Sequence, residues 1–334
     1  MQRGELINRL DTETEWDIII IGGGATGLGA AVDAASRGYK TLLLERFDFA
    51  KGTSSRATKL VHGGVRYLAQ GNIKLVMEAL HERGLLLKNA PHLTRPQPFI
   101  LPAYSWWQKW YYGIGLKIYD LMSGKLSIGK TRIVSAKTIL QYSPAVAQNG
   151  LSGGILYYDG QFDDARLALN LAQTAVEKGA TVLNYMEVFD VRKENGKSKG
   201  VFAEDTLTGK EYEIKSKAVI NATGVFTDDV LQMDDDMQHN IVSPSQGIHL
   251  VVDKKFFPGN YAMMIPRTDD GRVLFAVPWH HKVIIGTTDT PVAEALFEPR
   301  ALEEEIEFIF RNVNSYLNSG ITRSDVKAVF AGLR

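Results

Sequence analysis

Six consecutive residues, Gly22-Gly23-Gly24-Ala25-Thr26-Gly27, carry the spacing G-x-G-x-x-G. In that pattern the first glycine permits a tight turn, the second lets a pyrophosphate approach the backbone, and the third lets a helix pack closely on a strand. The phosphates then sit on a helix N-terminus, where free N–H groups and the helix dipole favour an anion. Gly22, Gly24 and Gly27 are therefore candidate dinucleotide ligands. Glu45 follows at the end of the next apolar run, where a carboxylate accepts hydrogen bonds from ribose hydroxyls and repels a 2′-phosphate. The loop alone does not separate NAD from FAD.

A second block, Gly52-Thr-Ser-Ser-Arg-Ala-Thr-Lys-Leu-Val-His-Gly-Gly-Val-Arg-Tyr-Leu68, is rich in small hydroxyl residues and glycine. Such a segment can lie close to a planar, polar ring system. His62 and His249 are candidate bases, since imidazole titrates near neutral pH. His280-His281 reads as a solvated turn.

These residues need elements to hold them. Asp17-Ile-Ile-Ile-Ile21 is a short β-branched run, as expected of a buried parallel strand. Ala30 to Arg37 reads as a helix closed by Gly38, and Lys40 to Glu45 as a second strand. Together they form one right-handed crossover unit, with residues 1–15 as a loose lead-in. Helices are expected over Gly71–Ala90, from Asp163 or Asp164 to Lys178, and over Glu303–Leu317. Thr181–Tyr185 and Lys217–Asn221 read as further buried strands, with Asn195-Gly196 and Thr208-Gly209 in hairpin turns between them. Asn221-Ala-Thr-Gly224 ends such a strand, which makes Thr223 and Gly224 candidate dinucleotide contacts. Ile248–Val252, Tyr261–Ile265, Arg272–Val277 and Val283–Thr287 read as a mostly antiparallel sheet. The expected class is α/β with an α+β part: a Rossmann-like domain, 16–95 and 151–235, interleaved with an antiparallel domain, 96–150 and 236–334.

Composition removes several functions. Lys+Arg and Asp+Glu both number 38, so there is no basic footprint for nucleic acid. The chain has no cysteine, which excludes disulfides, Cys-ligated zinc, iron–sulfur clusters and a thiol nucleophile, and no metal site is expected. No apolar run reaches the roughly 18–20 residues that span a bilayer. The polar first residues give no signal peptide. Trp106, Trp107, Trp110, Tyr111 and Tyr112 are crowded together near Lys109 and Lys117. Such rings suit a membrane–water interface, the alternative being a buried aromatic patch.

The Ser-Ser…Lys-Leu…His-Gly-Gly…Arg-Tyr block, with the glycine loop before it, resembles the FAD-dependent glycerol-3-phosphate dehydrogenases of the D-amino-acid-oxidase-like fold. Ala90-Pro-His-Leu93, Asp163-Asp-Ala-Arg-Leu167, Asn221-Ala-Thr-Gly224, Ile284-Ile-Gly-Thr-Thr-Asp289 and Ala331-Gly-Leu-Arg334 extend the resemblance from about Trp16 to Arg334. It implies FAD as cofactor and oxidation of sn-glycerol 3-phosphate to dihydroxyacetone phosphate, with a hydride passing to the flavin and electrons onward to quinone, or to oxygen in the oxidase branch. The rival of the same fold is an amino-acid oxidase.

The resemblance also implies residue roles. Arg66, Tyr67 and Arg334 line the substrate site, and His62, His249 and Arg334 stand at the chemistry. Ser54, Ser55, Lys59 and Leu60 touch the flavin or its phosphates, and Val188 meets adenine. The implied setting is the cytoplasmic face of the inner membrane, with peripheral attachment; a homodimer is left open. The family also has a Gly-Gly-Lys-x-Thr-Thr block that closes the flavin site and a C-terminal helical domain. Neither occurs in this sequence, so a C-terminally truncated chain is expected, and an inactive fragment is the alternative to turnover.

Overall fold

The computed structural model describes residues 2–235 and 240–334, apart from the side chains of Arg66 and Ala69. The β-branched run becomes strand Trp16–Ile21, at the centre of a six-stranded sheet. It pairs in parallel with Thr41–Leu44 on one side and Lys210–Asn221 on the other. Thr181–Leu183 extends the parallel part beyond Thr41–Leu44. The other edge is antiparallel: Lys210–Asn221 pairs with Lys197–Asp205, which pairs with Met186–Glu194. Asn195 and Gly196 adopt φ of 52° and 73° in the intervening hairpin, the left-handed conformation that such short turns demand.

Alternate residues of the central strand face opposite layers. Ile20 and Leu43 pack under helices Ala25–Ser36 and Asp164–Glu177, where Ala31, Ala168, Ala172 and Ala175 let the backbones approach closely. Ile19, Ile21, Leu42 and Leu44 face the other layer, which includes Leu6 and Leu10. Those two leucines belong to a helix, Arg3–Thr12, where a loose lead-in was expected. Their i, i+4 spacing buries one face on the sheet, and Arg3 pairs with buried Asp205 at 2.9 Å. Tertiary packing supplies what so short a helix lacks alone.

Among the described residues the second sheet has ten strands, eight in its main path and two branching from it. Ser245–Asp253 lies between Lys282–Gly286 and Val326–Leu333, and Ile248, Leu250 and Val252 are wholly buried beneath helix Glu303–Asn314. Burial of each such side chain contributes roughly 1.5–3 kcal/mol. Thr94–Ala103 pairs along its whole length with Gly153–Phe162. Pro96, Pro98 and Pro102 share one parity, so their missing N–H groups can all fall on the side away from that partner. Residues 153–162 were expected with the first sheet; their pairing puts them in the second, and Leu60–Val61 joins them there. The run Gly153-Gly-Ile-Leu-Tyr-Tyr has no polar alternation by which to distinguish the two sheets.

Candidate functional site

Strands Trp16–Ile21 and Thr41–Leu44 both end at one crevice, and Asn221 ends a third. There Gly22 turns with φ +111°, and a Cβ on it would lie 2.6 Å from Ala222 O. A Cβ on Gly27 would lie 2.0 Å from Gly22 O, so only glycine lets helix Ala25–Ser36 start this close to the strand. The crevice opens into a cavity of about 490 Å³, lined by Gly22, Gly24, Glu45, Ser54, Val188, Thr223 and Gly224, among others.

Glu45 accepts hydrogen bonds from Gly23 N at 2.6 Å and Phe47 N at 2.8 Å. Burial nonetheless pushes its carboxyl above the usual range, against the lowering effect of those two amides. Ser54 Oγ accepts the Ala25 N–H at 2.9 Å, at the first turn of the helix. A hydroxyl there takes the position an anion's oxygen would take. The cavity therefore offers what a dinucleotide needs: a close backbone approach, a helix N-terminus and a carboxylate near the strand ends.

Three of the expected cofactor residues lie elsewhere. Lys59 donates to both Asp164 oxygens, at 2.7 and 2.8 Å, and to Ser55 O at 2.7 Å. All three of its protons are committed, so the expected phosphate contact of Lys59 is corrected to a buried ion pair. Ser55 presents its carbonyl to that lysine and does not line the cavity. Leu60 pairs with Gln161 and lines a second cavity. Asp163 is the helix cap, accepting from Arg166 N at 3.2 Å. Asp164, also read as a cap candidate, is the partner of Lys59 instead.

The second cavity, about 260 Å³, is lined by His62, Tyr67, Asp159, Arg272, Asp289 and Arg334, with apolar residues such as Phe275 and Met264. Arg334 borders both cavities. Its backbone is tied to Ser245 by two 2.9 Å bonds, and its side chain reaches Asp289 at 3.0 Å and Thr288 O at 2.9 Å. Tyr67 packs its ring against Gly64 and stays half-exposed. The side chain of Arg66 lies outside the described residues. Arg272 was not foreseen from the sequence: it follows an unremarkable turn, and only the fold swings it to this cavity. It pairs with Asp270, which burial would raise but which Arg272 and Thr268 hold down at about 2. Its Nη1 is buried with no partner among the described residues.

The two candidate histidines lie in different settings. His249 is 3% exposed, stacks on Phe330 at 4.7 Å and bonds through Nε2 to Thr58 Oγ1 at 2.8 Å. Burial, with the charges of Lys59 and Arg334, pushes its pKa down to about 3. It lines neither cavity. His62 Nδ1 accepts the Gly64 N–H at 3.0 Å, which assigns the proton of the neutral ring to Nε2. The ring of His62 borders the second cavity.

The aromatic segment forms helix Trp106–Met122. Trp106, Trp107, Trp110 and Tyr111 are exposed, and Ile114, Ile118 and Leu121 continue the stripe, with Leu121 79% exposed. The alternative of a buried aromatic patch is thereby overturned for those four rings; Tyr112 is half-buried. Among the described residues, no helix is long and apolar enough to cross a membrane, and no group of His, Asp and Glu could hold a metal ion.

A layered mixed sheet whose parallel strands end at a glycine-lined crevice, joined through one arginine to a smaller polar cavity on a second sheet, defines a dinucleotide-dependent oxidoreductase architecture. The family model for FAD dependent oxidoreductases matches residues 17–334, and the chain belongs to that family. FAD is accordingly the cofactor. The chain is 46% identical over 340 aligned residues to the mitochondrial glycerol-3-phosphate dehydrogenase of Mus musculus, covering 97% of this chain and 47% of that one. It is 42% identical to the Schizosaccharomyces pombe counterpart, covering 99% and 54%. A solved glycerol-3-phosphate dehydrogenase from Bacillus halodurans, complexed with FAD, superposes with a TM-score of 0.81 at 36% identity, covering 99% of this chain and 59% of that one. The chain thus spans about half the length of the curated relatives it matches.

Proposed function

We propose that this chain oxidises sn-glycerol 3-phosphate to dihydroxyacetone phosphate, with FAD in the first cavity and the substrate in the second. The observation that carries the reading is the position of Arg334, which borders both cavities and so places a cation where cofactor and substrate would meet. The similarity to glycerol-3-phosphate dehydrogenases supports the choice of substrate. The first sheet with its helices is the cofactor half, and the second sheet the substrate half.

FAD supplies the hydride acceptor when bound. Gly22, Gly24 and the start of helix Ala25–Ser36 would receive its phosphates, with Ser54 giving up its bond to Ala25 N, and Glu45 would meet the ribose. Arg272 and Arg334 present guanidinium groups to the substrate phosphate. His62 donates Nε2–H to a substrate oxygen and orients it, and the C2 hydroxyl proton, released as the hydride leaves C2, passes to water at the open rim of the cavity beside Tyr67.

Electrons then leave for quinone at a membrane surface. The exposed stripe of helix Trp106–Met122 supports peripheral attachment, its rings suited to the headgroup level. The test uses the purified 334-residue chain loaded with FAD, without oxygen. Glycerol 3-phosphate should bleach the flavin absorbance, and glycine or proline should not. Bleaching by the amino acids instead would overturn the substrate assignment.

A further inference from the structure

We propose that Tyr119 is a positioning residue: it seats the Gly63-Gly64 turn so that His62 presents its Nε2–H donor to the ligand of the second cavity. The inference rests on the reading of that cavity as the substrate site.

Tyr119 stands on the buried face of helix Trp106–Met122 and is 2% exposed. Its hydroxyl accepts the Gly63 N–H at 2.6 Å and donates to the Asp159 carboxylate at 2.9 Å. Arg83, as fully buried, holds the other side of that carboxylate at 2.7 Å and is anchored to Ser123 Oγ at 3.0 Å. The phenol is therefore bonded in both directions and cannot turn. A Cβ on Gly63 would lie 2.8 Å from the Tyr119 oxygen, so the turn rests directly on the ring. The next amide, Gly64 N–H, is the one that donates to His62 Nδ1 at 3.0 Å. Asp159 and His62 both line the cavity.

A buried ion pair such as Arg83–Asp159 adds little net stability over apolar packing of the same volume. Its consequence here is geometric. The pair fixes Tyr119, Tyr119 fixes the Gly63 amide, and the neighbouring amide fixes which ring nitrogen of His62 carries the proton. A tautomer chosen by a partner hydrogen bond is how imidazoles are commonly oriented.

Tyr119→Phe keeps the ring and removes both hydroxyl bonds, and Asp159→Asn keeps the shape and removes the charge. The primary readout is nitrogen NMR of histidine-labelled 334-residue chain without substrate, the His62 signals being assigned by His62→Gln. The wild type should show a single Nε2–H tautomer, and Tyr119→Phe a mixture of both. With FAD loaded, reduction by glycerol 3-phosphate should slow on the order of ten- to a hundredfold, the cost of a misplaced group. Asp159→Asn should lie between wild type and Tyr119→Phe in both readouts. A His62 tautomer unchanged in both variants would overturn the proposal, whatever happens to the rate. If wild-type flavin is not reduced by glycerol 3-phosphate, the substrate reading fails, and the tautomer comparison still decides the role of Tyr119.

Discussion

Replacing Lys59 with methionine separates a structural lysine from a phosphate ligand. In the structure Lys59 Nζ sits 2.7 and 2.8 Å from the two Asp164 oxygens, with side chains 12% and 2% exposed. Removing one partner of a buried pair leaves an uncompensated charge, which costs about 3–5 kcal/mol. Asp164 would keep only its bonds from Ala57 N and Ala165 N. At a slope of about 2–4 °C per kcal/mol for domains of this order, the melting temperature should fall by roughly 6–20 °C. The assay is thermal unfolding followed by circular dichroism, alongside FAD titration well below the transition. Lys59→Met combined with Asp164→Asn removes both charges and should recover much of the loss, because the asparagine can still accept the Ala57 N–H. FAD affinity of the folded protein should change little in either variant. An unchanged melting temperature with a collapse in FAD affinity would refute the reasoning and restore Lys59 as a phosphate ligand.

Other consequences follow from single residues. His249, held neutral with its pKa near 3, should make stability depend on pH. An unfolded histidine binds its proton below about pH 6.5 while the folded one does not, so stability is full above that value and falls as pH drops from about 6.5 toward 3. Urea melts from pH 7 to 4 should show a steeper loss for wild type than for His249→Asn; parallel curves would contradict the burial argument. Gly27→Ala places a methyl 2.0 Å from Gly22 O, and it should abolish FAD retention or soluble folding, as read by the absorbance of the purified protein. Trp110→Asp, on the exposed stripe, should weaken co-sedimentation with anionic lipid vesicles several-fold and leave FAD content intact; equal sedimentation would argue against the stripe as a membrane face.

Much of the cofactor crevice was legible from residue types because the constraint there is local. A glycine required by a 2 Å approach, a β-branched run and a carboxylate at a strand end all show in a few consecutive letters. The hairpins at Asn195-Gly196 and Thr208-Gly209 were legible for the same reason. What escaped was set by distance in sequence. Helix Arg3–Thr12 forms because Leu6 and Leu10 find a sheet edge built from other parts of the chain. Strand Gly153–Phe162 reads as apolar in either sheet, and only its pairing with Thr94–Ala103 decides. Arg272 and the Arg83–Tyr119–Asp159 cluster carry no motif; the fold gathers them from four segments. Lys59 and His249 were recognised as chemically capable, but partners more than a hundred residues away, Asp164 for the one and Thr58 and Lys59 for the other, determine their settings.

The central claim is that the second cavity presents the C2 hydrogen of glycerol 3-phosphate to a flavin held by the first. The most direct measurement is the anaerobic rate of flavin bleaching with substrate deuterated at C2, compared with substrate deuterated at C1. The account predicts a several-fold slowing with the C2 label alone. Equal rates for the two labels, or bleaching by neither, would contradict it.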